Sequence, residues 1–312
     1  MSESEVPRVL AAVHAEVLPV TAGATSAVYP TLAVADPDRF GLSVATTAGE
    51  VFDIGDAFDG FALMSAAKPF TFALVCAHLG ADRARRELGV NATADAFNAV
   101  APVLEGPGGR TNPMVNAGAI ATCSRLPGAD IEAQWRHLLD GLSAFAGRPL
   151  HLDTALHADV TATNVRNTEI AAALHGRGAL VGDPVDALEL YSRQSCLDVT
   201  AHDLAIMAST LADGGMNPVT REQVIAPELC WPVLAVMATA GMYEHSGEWL
   251  YDVGLPGKSG IGGGVLTVSP GKGGLGTFSP RLDAAGNSVR GVLAATRLAA
   301  ELGLGLFSSR PA

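Results

Sequence analysis

The chain is poor in charged and in aromatic residues, which make up only 17% and 5% of its 312 residues. Its 20 basic residues are outnumbered by 32 acidic ones, and the net charge is −12. Binding to nucleic acid or to anionic lipid depends on clustered positive charge, so this balance argues against both. The sequence therefore predicts no nucleic-acid partner and no membrane surface.

Long apolar runs and paired cysteines are also missing. No segment has the uninterrupted apolar length that a membrane span requires. The acidic residues 1–7 lack the basic start and apolar centre of a secretory signal. The four cysteines show no C-x-x-C spacing, which is typical of reduced, buried cysteines in a cytosolic protein. With 48% hydrophobic residues the chain can still bury a large core, so we expect a folded cytoplasmic protein.

Short β-rich runs lie near both ends of the chain, and helical patterns lie between them. Apolar spacing, glycine turns and capping residues predict strands in 42–54, 264–269, 276–279 and 288–292, and helices over 9–18, 70–79, 93–100, 130–146, 167–175, 200–213 and 292–302. The simplest architecture pairs residues 1–64 with 250–312 in one antiparallel sheet. Residues 65–249 are then an inserted helical region, and the active site lies at the seam of a single structural unit.

The stretch Ser65-Ala-Ala-Lys68 stands where a polar segment gives way to an apolar run. The next residue, Pro69, suits the first turn of a helix, where a missing N–H costs nothing. Residues three apart share a helix face, so Lys68 can reach towards the Ser65 hydroxyl. A lysine whose pKa is lowered by burial can take the proton that turns serine into a nucleophile. Because S-x-x-K is common in helices, this prediction needs support from the rest of the chain.

Two later stretches give that support. Lys258-Ser259-Gly260 enters a predicted strand, and the glycines behind it let the backbone pass close to a substrate. A K-T-G element plays this part in serine acyl-transfer enzymes. Tyr243 adds a hydroxyl that can relay a proton. The order of S-x-x-K, asparagine segments, tyrosine and K-S-G is far less expected by chance than any one of them.

Two other patterns are interpreted as structural. Gly271–Gly276 spells G-x-G-x-x-G, but it opens no helix and prolines flank it, so a hairpin turn is favoured over a nucleotide site. The polar run 151–159 contains two histidines and two aspartates without the frame of a metal site, which favours solvated loop residues. We therefore expect neither a metal nor a cofactor.

A known family combines these motifs: the chain resembles the serine-dependent glutaminases over nearly its whole length. The stretches that carry the resemblance are Ser65-Ala-Ala-Lys68-Pro, Asn112-Pro-Met-Val-Asn116, Thr163-Asn-Val-Arg-Asn167, Tyr191-Ser-Arg-Gln-Ser, Leu211-Ala-Asp-Gly-Gly-Met-Asn-Pro218, Gly241-Met-Tyr243-Glu-His-Ser-Gly247 and Val253-Gly-Leu-Pro-Gly-Lys258-Ser-Gly-Ile261. The resemblance implies an α+β, β-lactamase-like fold, in which helices and a large all-α insertion flank an antiparallel sheet. It also implies hydrolysis of a side-chain carboxamide to acid and ammonia, and assembly as a homodimer or homotetramer.

The resemblance implies a role for each matching residue. Ser65 is the nucleophile, Lys68 its base and Tyr243 the proton relay. The backbone N–H groups of Ser65 and Ile261 form the oxyanion hole, which stabilises charge that develops in the transition state. The residues expected to bind the substrate are Asn116, Asn167, Tyr191, Lys258 and Ser259.

The chain departs from the family at positions that contact the amino-acid end of the substrate. Val28, Met64 and Val160 stand where the family has a tyrosine, a glutamine and a glutamate, and Gly262 replaces a serine. Losing the carboxylate that pairs with a buried ammonium should cost several kcal/mol in recognition. A one-residue shift could let Asp159 take the place of the missing glutamate.

Three functions follow as hypotheses. The first is hydrolysis of L-glutamine to L-glutamate and ammonia through a serine acyl-enzyme, which the overall resemblance favours. The second is a glutaminase-fold amidase whose carboxamide substrate has no free α-amino group, which the three apolar replacements favour. The third is a non-catalytic binding protein, against which the retained serine, lysines and tyrosine argue.

Overall fold

The structure, a computed structural model, describes residues 5–93 and 95–307. Its strands are β1 (Gly41–Thr46), β2 (Val51–Gly55), β3 (Phe61–Ala62), β4 (His151–Leu152), β5 (Leu197–Val199), β6 (Gly257–Ser259), β7 (Gly264–Ser269) and β8 (Gly273–Phe278). Its helices are α1 (Glu5–Val17), α2 (Pro30–Ala33), α3 (Lys68–Leu79), α4 (Ala81–Leu88), α5 (Ala101–Glu105), α6 (Asn116–Cys123), α7 (Ile131–Ala146), α8 (Thr154–Thr163), α9 (Val165–Gly176), α10 (Pro184–Ser195), α11 (Ala201–Ala212), α12 (Pro227–Ala240), α13 (Ser246–Asp252) and α14 (Val289–Glu301). In these two ranges no helix is long and apolar enough to cross a membrane.

The main sheet joins strands from both ends of the sequence in the order β2-β1-β8-β7-β6. All of its pairs are antiparallel, and β8 lies between β1 and β7, so that Thr277 pairs with Leu42 on one side and Val265 on the other. The predicted antiparallel sheet and the α+β fold class are thereby confirmed. The division at residues 64 and 250 stays a prediction.

Helix α11 lies directly against one face of this sheet, and glycines make the contact possible. A Cβ at Gly276 would lie 2.0 Å from the Ala201 carbonyl oxygen, and one at Gly274 would lie 2.4 Å from the Ser209 nitrogen. These glycines belong to the G-x-G-x-x-G run, whose first two residues complete a turn with Pro270 and whose other four lie in β8, which begins at Gly273. The run is therefore a hairpin, as predicted, and its later glycines serve helix-to-sheet packing.

A second layer of helices, α1 and α14, packs against the main sheet through a hydrophobic cluster. The buried side chains of α1, such as Val9, Leu10 and Val13, belong to one hydrophobic cluster with Ala295 and Leu298 of α14. Burial of such apolar surface is the dominant favourable term in folding. This cluster fixes the first and last described helices against the sheet.

Two predicted elements are wrong. The predicted helix over 93–100 is absent from the described residues of that range, and the helix begins only at Ala101, with Pro102 in its first turn. The predicted strand 288–292 is the start of α14 instead. The Ser288 hydroxyl accepts a hydrogen bond from the Gly291 N–H at 3.2 Å, which is an N-cap, so the local cap overrides the β-rich composition.

Candidate active site

Ser65 lies in a short 3₁₀ turn, Met64–Ala67, that leads directly into α3. The first backbone donor of the turn is Ala66, whose N–H donates to the Leu63 carbonyl at 3.0 Å, so the Ser65 N–H precedes the hydrogen-bonded ladder. Met64 has a φ of +48°, a left-handed conformation that a non-glycine residue rarely adopts. Such strained backbone is typical of functional sites, where the surrounding fold holds it in place.

Lys68 lies one turn into the protein from Ser65 and is only 1% exposed. Its Nζ donates to the Asn116 Oδ1 at 2.7 Å and to the Met114 carbonyl at 3.3 Å. Burial lowers the pKa of Lys68 from its ordinary value near 10.5 to about 7. Near neutral pH a large fraction of this amine is therefore unprotonated and able to accept a proton.

The Tyr243 hydroxyl lies close enough to the Ser65 side chain for that side chain to influence the pKa of the phenol. Burial raises the pKa of the Tyr243 phenol, and a side-chain hydrogen bond from Ser65 acts in the opposite direction. The phenol itself donates to the Ser259 carbonyl at 3.1 Å. The residue has a φ of +55°, and its ring lies 4.5 Å from that of Phe97. Because its pKa is raised, the phenol stays protonated at neutral pH. It is therefore placed to relay a proton from the serine hydroxyl, but it is not itself the general base.

Lys258 and Ser259 lie behind Tyr243 and do not line the cavity described below. The Lys258 Nζ donates to the Ser259 carbonyl at 2.7 Å and lies 4.3 Å from the centroid of the Tyr243 ring. Burial, and then the charge of Lys68, hold the pKa of Lys258 well below its usual range. Both residues were predicted to bind the substrate, but they lie outside the cavity. The Ser259 carbonyl accepts hydrogen bonds from both Lys258 and the Tyr243 phenol, which holds the two residues next to Tyr243.

Ile261 is brought beside the serine turn by a close approach of two backbone segments. A Cβ at Gly260 would lie 2.9 Å from the Leu63 carbonyl oxygen, and one at Gly262 would lie 2.2 Å from the Ala62 carbonyl oxygen. A serine in place of Gly262 would therefore clash, which gives this departure a structural reason. In the described part of the chain the Ile261 N–H donates no backbone hydrogen bond. Ser65 and Ile261 both line the cavity, so two free N–H groups flank one site.

A chain of side-chain amides runs from Lys68 to the far wall. The Asn116 Nδ2 donates to the Asn167 Oδ1 at 2.9 Å, and the Asn167 Nδ2 donates to the Asn164 Oδ1 at 2.6 Å. The Asn164 Nδ2 continues to the Ser192 hydroxyl at 3.0 Å. Each amide oxygen thus already accepts one hydrogen bond. The network fixes these side chains, which come from different helices, in one orientation.

The cavity in front of Ser65 has a volume of about 130 Å³. Its wall contains three of the five predicted ligands, Asn116, Asn167 and Tyr191, and three of the four departures, Val28, Met64 and Val160; the other lining residues are Tyr29, Ser65, Phe97, Asn98, Thr163, Asn164, Arg166, Ser192, Ser195 and Ile261. Most of the predicted positions therefore meet in one place, while Lys258 and Ser259 lie outside the lining, and the residue roles stay predictions.

One side of the cavity is an apolar wall. Met64 and Val160 belong to a small buried cluster with Tyr29, Leu156 and Cys196, and Ile261 packs against it. Val28 lies at the edge of the cavity with 59% of its surface exposed. Val28, Met64 and Val160 thus line the same cavity, and Met64 and Val160 form part of one apolar surface.

Asp159 does not replace the missing carboxylate. Its Oδ2 accepts hydrogen bonds from the backbone N–H and the hydroxyl of Thr31, in the first turn of α2, and it does not line the cavity. A carboxylate at a helix N-terminus is a stable capping arrangement. The suggestion that Asp159 faces the substrate is therefore wrong, because this aspartate is committed to α2.

Sequence reasoning missed several lining residues. Asn164 and Arg166 lie in the same short motif as Asn167, and Tyr29 is next to Val28, so adjacency was an available signal. Phe97 and Asn98 come from an irregular segment, and no local pattern marked them. The Asn116 N–H donates to the Phe97 carbonyl at 2.9 Å, which ties this segment to the site.

The arrangement can perform acyl transfer without further groups: a serine at the start of a buried helix, a lysine of lowered pKa, a phenol and two free N–H groups. Among the described residues no group of three or more His, Cys, Asp or Glu could hold a metal ion. The fold is that of the β-lactamase-like hydrolases, and the site is typical of those that use a serine nucleophile.

Comparison with known proteins narrows this class. Residues 23–307 match the glutaminase family. The chain is 55% identical over 291 residues to glutaminase 2 of Yersinia pestis, covering 93% of this chain and 86% of the relative. It is 44% identical over 279 residues to a glutaminase of Mycobacterium ulcerans, covering 89% and 87%.

Solved structures agree with this. A probable glutaminase, ybaS, superposes with a TM-score of 0.97 at 34% identity and covers 99% of this chain and all of that one. Mglu in its glutamate form superposes with a TM-score of 0.94 at 38% identity, covering 99% and 71%. The chain belongs to the glutaminase family and is a hydrolase of that family.

Proposed function

We propose that this protein hydrolyses the side-chain carboxamide of L-glutamine to L-glutamate and ammonia through an acyl-enzyme on Ser65. Family membership supports the reaction, and a relative crystallised in a glutamate form supports the amino-acid class of the product. The geometry around Ser65 supports the mechanism. The observation that carries it is the buried Lys68, whose pKa of about 7 supplies a base at neutral pH one turn from the serine.

In the first half-reaction the Ser65 Oγ attacks the carboxamide carbon while its proton passes to Lys68, with the Tyr243 hydroxyl as the relay. The carbonyl oxygen becomes an oxyanion between the N–H groups of Ser65 and Ile261, which act only on this developing charge. The C–N bond then breaks as the nitrogen receives the proton. Ammonia leaves and an ester on Ser65 remains.

In the second half-reaction a water molecule attacks the ester carbon and gives its proton to the same base. The ester C–O bond breaks, the Ser65 oxygen recovers a proton and glutamate leaves. The amide chain of Asn116, Asn167 and Asn164 would hold the amino-acid end throughout, because each nitrogen has a second N–H to donate to a carboxylate.

The test is ammonia release from L-glutamine, with Ser65→Ala as the blank and Lys68→Met as a variant without the base. We expect turnover by the parent protein and none by Ser65→Ala. No turnover by the parent, together with no labelling of Ser65 by a carboxamide-mimicking electrophile, would overturn the proposal and favour the non-catalytic binding protein.

The assembly stays a prediction of the family resemblance, and the location stays a prediction of the cysteine pattern and the composition. We propose a homodimer or homotetramer, which light scattering on the purified protein would measure. We propose a cytoplasmic location, which cell fractionation would measure. The site residues described above belong to a single chain, so neither prediction is needed for the chemistry.

A further inference from the structure

We propose that the cavity accepts a glutamine-like carboxamide whose α-nitrogen is acylated, and therefore uncharged, at least as well as it accepts free glutamine. The proposed chemistry on Ser65 is unchanged, and the inference rests on it. N-acetyl-L-glutamine is the simplest member of this substrate class.

The first support is the charge of the wall. Among the described residues that line the cavity none is an aspartate or a glutamate, and Arg166 is the only charged side chain. The nearby Asp159 is held by Thr31, as described above. An ammonium group that enters a site without a carboxylate loses hydration and gains no opposite charge. This wall therefore penalises the α-ammonium of a free amino acid.

The second support is that three of the neutral acceptors in the wall are already engaged. The amide oxygens of Asn116, Asn167 and Asn164 each already accept a hydrogen bond from the preceding donor in the chain. Each oxygen carries only a partial negative charge for an ammonium group to contact, and one hydrogen-bond donor already lies on it. The second N–H of each amide nitrogen suits a carbonyl or carboxylate oxygen instead.

The third support is the apolar wall. Met64 and Val160 are buried in one cluster with Tyr29, and exposed Val28 continues the apolar surface to the edge of the cavity. Binding is favourable when such a surface covers a methyl or methylene group, and unfavourable when it covers an ammonium group. An acyl group on the α-nitrogen has the chemistry that this wall matches.

Arg166 indicates that the α-carboxylate is retained. Its guanidinium pairs with Glu169 at 3.0 Å, and both side chains are more than half exposed. An exposed ion pair of this kind contributes little free energy, so the guanidinium can turn to a substrate carboxylate at small cost. The same positive charge would repel an α-ammonium. The substrate class is thus an N-acylated amino acid with a side-chain carboxamide and a free carboxylate.

The reaction balances as for glutamine. Water and N-acetyl-L-glutamine give N-acetyl-L-glutamate and ammonia, the bond between the side-chain carbonyl carbon and nitrogen breaks, and the acetyl amide is untouched. Ser65, Lys68 and Tyr243 act as proposed above.

The experiment compares kcat/KM for L-glutamine and N-acetyl-L-glutamine by ammonia release, with Ser65→Ala as the blank. We expect the parent protein to use the acetylated substrate with equal or higher kcat/KM. Val160→Glu places a carboxylate in the wall, and Val160→Gln is its uncharged, size-matched control. We expect Val160→Glu to shift the preference towards glutamine at least 10-fold relative to Val160→Gln.

The outcomes separate the two proposals. A higher kcat/KM of the parent for glutamine than for N-acetyl-L-glutamine would overturn this inference and leave the proposed glutaminase reaction standing. No ammonia from either substrate above the blank would overturn both. If the Val160 variants do not fold, thermal shifts of Ser65→Ala with N-acetyl-L-glutamine and with L-glutamine decide: a larger shift with L-glutamine contradicts the inference.

Discussion

Replacing Lys68 by methionine should abolish activity and at the same time stabilise the protein at neutral pH. Methionine has a similar length and carries no charge, so it fills the same buried volume. Loss of a general base typically lowers kcat by about 10²–10⁴-fold. The expected gain in stability comes from removing a lysine that the fold forces towards its neutral form.

The magnitude follows from the shift in pKa. A lysine whose pKa falls from its ordinary value near 10.5 to about 7 lowers the free energy of unfolding by roughly 4 kcal/mol at pH 7. Between these two pKa values the unfolded chain binds the extra proton, so stability rises as the pH rises. At pH 9.5 the same arithmetic leaves a penalty of about 1 kcal/mol.

The variant also loses two hydrogen bonds, to the Asn116 Oδ1 and the Met114 carbonyl. This loss costs about 2 kcal/mol. The net gain at pH 7 is therefore about 2 kcal/mol, and it falls by roughly 3 kcal/mol at pH 9.5.

Urea unfolding of the parent and Lys68→Met at pH 7 and pH 9.5 measures this difference. The matched control is Lys272→Met, because Lys272 is exposed and donates to a carbonyl at the surface. We expect the stability difference between control and parent to be the same at both pH values. A Lys68→Met difference that is also independent of pH would refute the reasoning, and so would a variant with parental activity.

The remaining predictions concern the same site. If neutral Lys68 is the base, kcat/KM should fall as the pH drops below an apparent pKa near 7, because protonation removes the acceptor; a flat profile from pH 6 to 8 would contradict this. Tyr243→Phe should lower kcat by about 10²-fold or more, with only a small loss of melting temperature, because the ring packing remains and Lys258 still donates to the Ser259 carbonyl that loses the phenol; a kcat near that of the parent would remove the relay role. Gly262→Ala should lower kcat by about 10²-fold, since its Cβ would lie 2.2 Å from the Ala62 carbonyl oxygen and displace Ile261. The control Gly176→Ala, with nothing within 4 Å, should be neutral, and equal effects of the two would show that the oxyanion contact is not the cause.

Local chemistry in the sequence determined a large part of the fold. Thr200 and Asp203 predicted the start of a helix, and both halves of that capping box are present at α11. Asp130 is the N-cap of α7 and accepts a single hydrogen bond, from the Ala133 N–H at 2.8 Å. Such signals are readable because each involves residues only three positions apart.

The irregular segment at 95–100 was not readable in this way, whereas the start of α14 was missed although its cap at Ser288 is equally local. Composition alone favoured a helix at 93–100 and a strand at 288–292. The serine cap at Ser288 and contacts made by distant residues decided otherwise. Propensity is a weak prior, and tertiary context routinely overrides it.

For the site, the sequence predicted Ser65, Lys68, Tyr243, Asn116 and Asn167 together, because the order of their motifs is specific, and their roles stay predictions. Only the tertiary structure decided how they meet. It placed Lys258 behind the phenol and committed Asp159 to α2, and it gathered Met64 and Val160 into one apolar wall. The physical reason is that burial, charge and free hydrogen-bond donors are properties of a side chain's neighbours in space, which spacing along the chain does not encode.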